Sequence, residues 1–419
     1  MSYINNLMKY IDECPSAYHV VAKQRELLDK AGFTALKETE KWKLIKGGKY
    51  YVTRNDSAII AFVVPKTLKK LRFRVIASHS DCPAFKIKND PEIKVEDSYV
   101  KLNVESYGGA IYHTWLDRPL SVAGRVFLKG EDEARPVKID KDICMIPSLA
   151  IHMNRDINKG YEWNVQRDLL PLLSLEPETK LMDLIAKEGG FDPASVTGHD
   201  LYLYNRENCK LWGPDDEFLS GQGLDDRACA FSSLMALLEV KKGASIAVHA
   251  VFDNEEVGSS TRQGACSTFL KDVTDRIGDC LGYTSEDRIA AVSDSFLLSA
   301  DNAHAMHPNY PDKCDPTNRP ILGKGIVLKF AGNQKYTTDG KTAAMVRKYA
   351  EKAGVTLQNF HNRSDMAGGS TLGNLSANQV AFPSADIGIG QLAMHSVYET
   401  IGTKDVDALV LLARSVMED

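Results

Sequence analysis

Neither a paired cysteine motif nor a long apolar run occurs in this chain. Its eight cysteines, at 14, 82, 144, 209, 229, 266, 280 and 314, are scattered without a CxxC pair, which disfavours a disulfide framework and fits reduced thiols in a cytoplasmic protein. No segment approaches the roughly 18–20 apolar residues of a membrane span. The opening MSYINNLMKYIDECPSAYHV reads as an amphipathic helix broken by acidic residues, without the continuous apolar region of a signal peptide. Positive charge is lacking too: the formal net charge is −5, so no field draws in a polyanion such as DNA or RNA. The longest basic stretch, KTLKKLRFR at 66–74, alternates with apolar residues and leads into an apolar run. It reads as a solvated strand edge rather than a binding patch. Repeats and low-complexity linkers are also missing. A soluble protein with no nucleic-acid and no membrane partner is expected.

What is present exceeds one small core: 419 residues, 43% of them apolar, predict two domains. Up to residue 88 the patterns read as a helix over 16–31, a hairpin turning at Gly47-Gly48, and strands over 50–54, 57–64 and 73–78. Between 89 and 210 they change to short β-like runs (IKVEDSYVKLNVESYG, SVAGRVFLKG, RPVKID) and a polar helical stretch over 176–188. From Leu224 onward a helix over 225–240 alternates with the apolar runs SIAVHAVFD, IAAVSD, FLLSAD, GIVLKF and ADIGIG, read as strands. Such alternation predicts an α/β fold whose mostly parallel central sheet is flanked by helices. Residues 1–88 and 211–419 are expected to form one discontinuous catalytic domain, and 89–210 an inserted β-rich domain.

Reactive groups in open α/β sheets collect beyond the carboxyl ends of the strands, and here those positions hold metal-ligand types. His79 and Asp81 follow RVIAS, Glu255 and Glu256 follow IAVHAVFDN, and Asp301 and His304 follow FLLSA. His395 comes after ADIGIG, and Asp225 and Asp226 open the helix of GLDDRACAF. Singly, each has a plainer reading: a strand-end histidine is often structural, adjacent carboxylates often a solvated turn, and acidic residues favour a helix N-terminus. As a set they differ, because crowded carboxylates repel each other unless cations lie between them. Two divalent ions explain the inventory, with one carboxylate bridging and one left as base. Mixed nitrogen and oxygen ligands suit zinc, with cobalt or manganese as alternatives.

The motifs ASHSD, SGQGLDDRACAF, FDNEEVGSSTRQGA, SADNAHAMHPNYP, RSDMAGGSTLG and QLAMHSVYE, in this order, closely resemble the aspartyl-aminopeptidase family of dizinc peptidases, and the likeness runs the whole chain. The resemblance implies a zinc-exopeptidase fold in which His79, Asp225 and Asp301 hold one ion and Asp225, Glu256 and His395 the other. It makes Glu255 the general base for a metal-bridging hydroxide that attacks the peptide, has Asp81 orient His79, and sets His304 against the substrate. It further implies that His152 reaches a neighbouring subunit's site, and that the chain assembles through the inserted domain into a tetrahedral dodecamer admitting only small peptides. The pattern departs at Asn333, where eukaryotic relatives carry the lysine expected to select acidic N-terminal residues. Lys335 is the substitute cation, and a neutral or broad preference is the alternative. Another dinuclear amide hydrolase, or a silent assembly protein, are the competing readings. His19, His199, His249 and His361 read as structural, His307 as a brace for the Asp301 loop, and Asp117-Arg118 as an internal ion pair. Gly368 to Thr371 reads either as substrate-facing N–H groups or as a turn into a helix.

Overall fold

This computed structural model describes residues 2–419. Its central sheet has nine strands, in the order Thr34–Leu36, Lys49–Arg54, Ala58–Val63, Ile246–Phe252, Phe73–His79, Phe296–Ala300, Ser384–Gly388, Ile326–Phe330 and Leu357–His361. Five of the eight neighbour pairs are parallel and three antiparallel, the mostly parallel sheet that the alternating patterns predicted. Every residue of Phe73–His79, Ile246–Phe252, Phe296–Ala300 and Ser384–Gly388 is buried, because helices cover both faces. Successive side chains of a strand point to opposite faces. Ile76 accordingly joins the core under the helices Ile4–Glu13, Leu224–Glu239 and Thr403–Met417. Val75 and Ala77 join the core under Phe269–Cys280 and Ser285–Asp294.

A second, wholly antiparallel sheet has six strands, Arg135–Lys138, Leu120–Leu128, Val196–Asn205, Ala84–Val95, Tyr99–Tyr107 and Leu172–Ser174. It has a core of its own around Phe85, Leu102, Trp115, Val122 and Leu201. A third sheet of short strands runs Lys210–Trp212, Phe218–Gly221, Glu399–Gly402, Gly390–Leu392 and Ala303–His304. It gathers segments that lie close in sequence to Asp225, Asp301 and His395, and so frames one side of the site. Among the described residues no helix is long and apolar enough to cross a membrane.

Several local expectations are corrected. The hairpin turns not at Gly47-Gly48 but between Arg54 and Ala58, where Asn55 and Asp56 adopt left-handed backbone that these short polar residues tolerate. The run IAAVSD lies in the helix Ser285–Asp294, started by a capping box of Thr284 and Asp287, so a cap overrode a β-like composition. Residues 66–74 lead into a central strand rather than an edge: Arg74 is buried and its guanidinium pairs with the Asp419 carboxylate at 2.7 Å. Asp117 and Arg118 do not pair. Asp117 accepts from the Ser148 backbone at 2.8 Å, while Arg118 binds Glu207.

His249 is a structural histidine. Its Nδ1 lies 2.8 Å from Ser233 Oγ and its Nε2 3.0 Å from Gln24 Oε1, and burial holds its pKa down at about 3 from an ordinary 6.5. The unfolded chain therefore takes up a proton below pH 6.5 that the folded chain refuses down to about pH 3. Stability from this site is full above pH 6.5 and falls through that window. Urea midpoints are expected to drop on acidification from neutrality, and His249→Gln to flatten the drop; an unchanged slope in the variant would refute this account.

Candidate metal centre

Each presumed ligand sits where a regular element stops. His79 ends its strand, Asp301 follows Phe296–Ala300 directly, and Glu255 and Glu256 open the short 3-10 turn Glu255–Val257 just past Ile246–Phe252. Asp225 stands at the head of Leu224–Glu239 with extended rather than helical backbone. His395 lies between Gly390–Leu392 and Glu399–Gly402, with a left-handed φ of 67°. These five elements converge. His79, Asp225 and Asp301 offer ligand atoms all within 4.8 Å of one another, and so do Asp225, Glu256 and His395. Asp225 belongs to both groups. A third group of the same span, His79, Glu255 and Glu256, brings in Glu255.

The two oxygens of Asp225 face different histidines, Oδ1 at 3.6 Å from His79 Nε2 and Oδ2 at 3.7 Å from His395 Nε2. His395 Nε2 is also 3.3 Å from Glu256 Oε2. On its far side His79 Nδ1 lies 3.1 Å from the Asp81 carbonyl and 3.3 Å from Asp81 Oδ1. Asp81 also accepts the backbone N–H groups of Glu255 and Glu256, each at 3.2 Å. One buried carboxylate thus holds a histidine and the neighbouring acidic turn.

His79 is 1%, Asp225 3% and Asp301 8% exposed, yet Asp225 Oδ1, Asp226 Oδ1 and Glu256 Oε1 have no hydrogen-bond partner. Buried polar atoms are normally paired. Burial, then repulsion from Asp225, pushes Glu256 well above the carboxylate range. Burial, with Asp301, Asp81 and Asp225 nearby, lifts Glu255 to about 8. Orphaned, mutually repelling oxygens beside two imidazoles are the donor set that divalent cations relieve, so the residues present fit metal ions.

Three supporting residues escaped the sequence reading. Glu399 accepts the His395 N–H at 2.7 Å and the Asp225 N–H at 2.9 Å. The fully buried Lys329 donates to the Asp301 carbonyl at 2.7 Å, with its Nζ 3.7 Å from Asp301 Oδ2. Asn302 donates to the Leu224 carbonyl at 2.9 Å and so ties the Asp301 loop to the helix carrying Asp225. Glu399 and Asn302 lie inside the quoted motifs QLAMHSVYE and SADNAHAMHPNYP, and Lys329 inside the apolar run GIVLKF, without drawing a role there. Of the expected substrate residues, His304 is exposed on the strand Ala303–His304. Lys335 is half-buried and donates to the Gly368 carbonyl at 3.1 Å. His152 is exposed and makes no side-chain hydrogen bond among the described residues. The run to Thr371 leads into the helix Leu372–Ser376, His307 Nδ1 accepts the Asn309 N–H at 3.2 Å, and His361 stacks on Phe330.

Residues 10–416 match the model of the aminopeptidase I zinc metalloprotease family, M18. The chain is 46% identical over 415 residues to a probable M18 family aminopeptidase 2 of Clostridium novyi, covering 97% of this chain and 96% of the relative. Its fold superposes on a chain from a structure of the Ape4 and Nbr1 complex with a TM-score of 0.96 at 35% identity, covering 99% of this chain and 85% of that one. Against the S. cerevesiae mApe1 dodecamer the TM-score is 0.84 at 29% identity, covering 98% and 95%. The convergent histidines and carboxylates and these matches along nearly the whole chain lead to one conclusion: the protein belongs to the M18 family of zinc metalloproteases and is a metal-dependent aminopeptidase.

Proposed function

We propose that this aminopeptidase removes N-terminal residues, acidic ones by preference, from small peptides at a site holding two zinc ions. The observation that carries the reading is the sharing of Asp225 between two ligand groups, with Glu255 beside them. His79, Asp225 and Asp301 hold one ion, and Asp225, Glu256 and His395 the other. Bound there, the metal supplies Lewis-acid polarisation of a carbonyl and lowers the pKa of water. Asp81 fixes the tautomer and direction of His79. Glu255 is the general base: its carboxylate takes the proton of the attacking water and delivers it to the leaving amine nitrogen.

The acidic preference rests on Lys335, a half-buried cation two residues beyond Asn333, and on the aspartyl-aminopeptidase likeness of the motifs. His304 contacts the substrate. Residues 89–210 form the oligomerisation domain, 1–88 and 211–419 the catalytic one. The mApe1 dodecamer supports a closed homo-oligomer in which His152, exposed and without a side-chain hydrogen bond among the described residues, completes a neighbour's site. All eight cysteines are free, which fits a reducing compartment such as the cytoplasm.

Initial rates on aminoacyl-p-nitroanilides of Asp, Glu, Leu, Ala and Lys, with an N-acetylated control, test this on metal-free protein with and without added zinc or cobalt. Metal-dependent release from the Asp and Glu substrates, with the blocked control intact, is the expected result. Faster release of Leu or Ala overturns the acidic preference and leaves the aminopeptidase assignment standing.

A further inference from the structure

The strand Tyr99–Tyr107 of the six-stranded sheet ends against the metal centre, and the residues that follow it engage one ligand group selectively. The Gly109 carbonyl lies 3.1 Å from His395 Nδ1, and the Ile111 N–H donates to the His395 carbonyl at 3.0 Å. At Gly108 the backbone is left-handed, with φ 72°, and a Cβ there would stand 3.1 Å from Glu256 Cβ. The Tyr107 hydroxyl donates to Asp81 Oδ2 at 2.7 Å. That oxygen also accepts the Glu256 N–H at 3.2 Å, whereas Oδ1 faces His79 Nδ1 at 3.3 Å and the Glu255 N–H at 3.2 Å. The hydroxyl in turn accepts from Asn254 Nδ2 at 2.8 Å, just ahead of the two glutamates.

The other group is braced from the opposite side. Asp301 is held by the Ile387 carbonyl at 3.0 Å and by Lys329, both in the central sheet. Among the described residues the six-stranded sheet makes no hydrogen bond to His79, Asp225 or Asp301.

We infer that residues 108–111 are a positioning element for Glu256 and His395, the two ligands that belong to one ion only, while Tyr107, through Asp81, reaches both groups. The two ions then differ in kind. The one held by His79, Asp225 and Asp301 depends on the central sheet, and the other depends on how the six-stranded sheet is seated. A shift of that sheet moves His395 and Glu256, and leaves Asp301 in place. The inference rests on the two-ion reading given above.

Stepwise zinc affinities, measured by titrating the metal-free full chain in competition with a chromophoric chelator, test it with no reference to turnover. The wild type is expected to bind two ions. Gly108→Ala is expected to keep the tighter ion at wild-type affinity and to weaken the other by about 10–100-fold, the scale at which supporting residues act on metal sites. Gly109→Ala, whose Cβ would stand 3.6 Å from His395 Nδ1, is expected to act in the same direction and serves alone if Gly108→Ala melts early, whereas Tyr107→Phe, which loosens the Asp81 carboxylate that both groups share, is expected to weaken both ions. Two ions in the wild type, with both weakened equally or neither weakened in a glycine variant whose metal-free melting temperature is unchanged, overturns this inference and leaves the two-ion reading intact. A wild type that binds one ion overturns both.

Discussion

Asp225→Asn is expected to cost the protein at least one ion outright and to lower kcat/KM by at least about 10³-fold, the equivalent of the several kcal/mol that metal polarisation contributes. The argument is geometric. Asp225 offers one oxygen toward His79 and the other toward His395, and asparagine keeps the shape but has a single acceptor oxygen. Its NH2 group must point at one of the two ligand groups and there repels a cation. The substitution removes a carboxylate that raises Glu256, Glu255 and Asp301 but that, despite its burial, His79 and His395 hold below the usual carboxylate range, so ion loss is read from metal content and not from the melting curve. Metal content by mass spectrometry after dialysis checks the loss of the ion, and initial rates on the same preparation check the fall in kcat/KM. Two tightly held ions in the variant would falsify the shared role of Asp225.

Glu255→Gln is expected to leave both ions bound and to lower kcat by roughly 10²–10⁴-fold, the usual contribution of a positioned proton carrier, with KM little changed. Geometry alone permits another role, because Glu255 also lies within 4.8 Å of His79 and Glu256 as a possible ligand. The two roles predict opposite metal contents. A base lost to glutamine leaves the ions and stops the proton transfer, whereas a ligand lost to glutamine releases an ion. Stoichiometry and single-turnover rates measured on the same preparation separate them, and near-normal turnover would exclude the base assignment altogether.

How much of this centre was legible in the chain follows from which signals are local. His79, Asp225, Glu256, Asp301 and His395 could be found because each follows an apolar run or opens a helix, and strand ends are where open α/β sheets expose reactive groups. The same local rules misread IAAVSD as a strand, since six residues of apolar text cannot distinguish a buried strand from a helix face; the cap at Thr284 settles it. They also misjudged Arg74, whose partner Asp419 lies 345 residues away.

The one-dimensional text thus sufficed for the candidate ligand residues, for the mostly parallel α/β plan and, at the level of zinc metalloprotease, for the family. Those depend on residue type, on periods of two and 3.6, and on short motifs whose spacing survives in one dimension. The folded chain adds which oxygens are orphaned, that Glu399 holds both Asp225 and His395, that Lys329 braces Asp301, and that Gly109 meets His395 across 286 residues. Hydrogen bonding and desolvation act over a few ångströms, and which groups come that close is fixed by how the sheets are seated rather than by any neighbour along the chain.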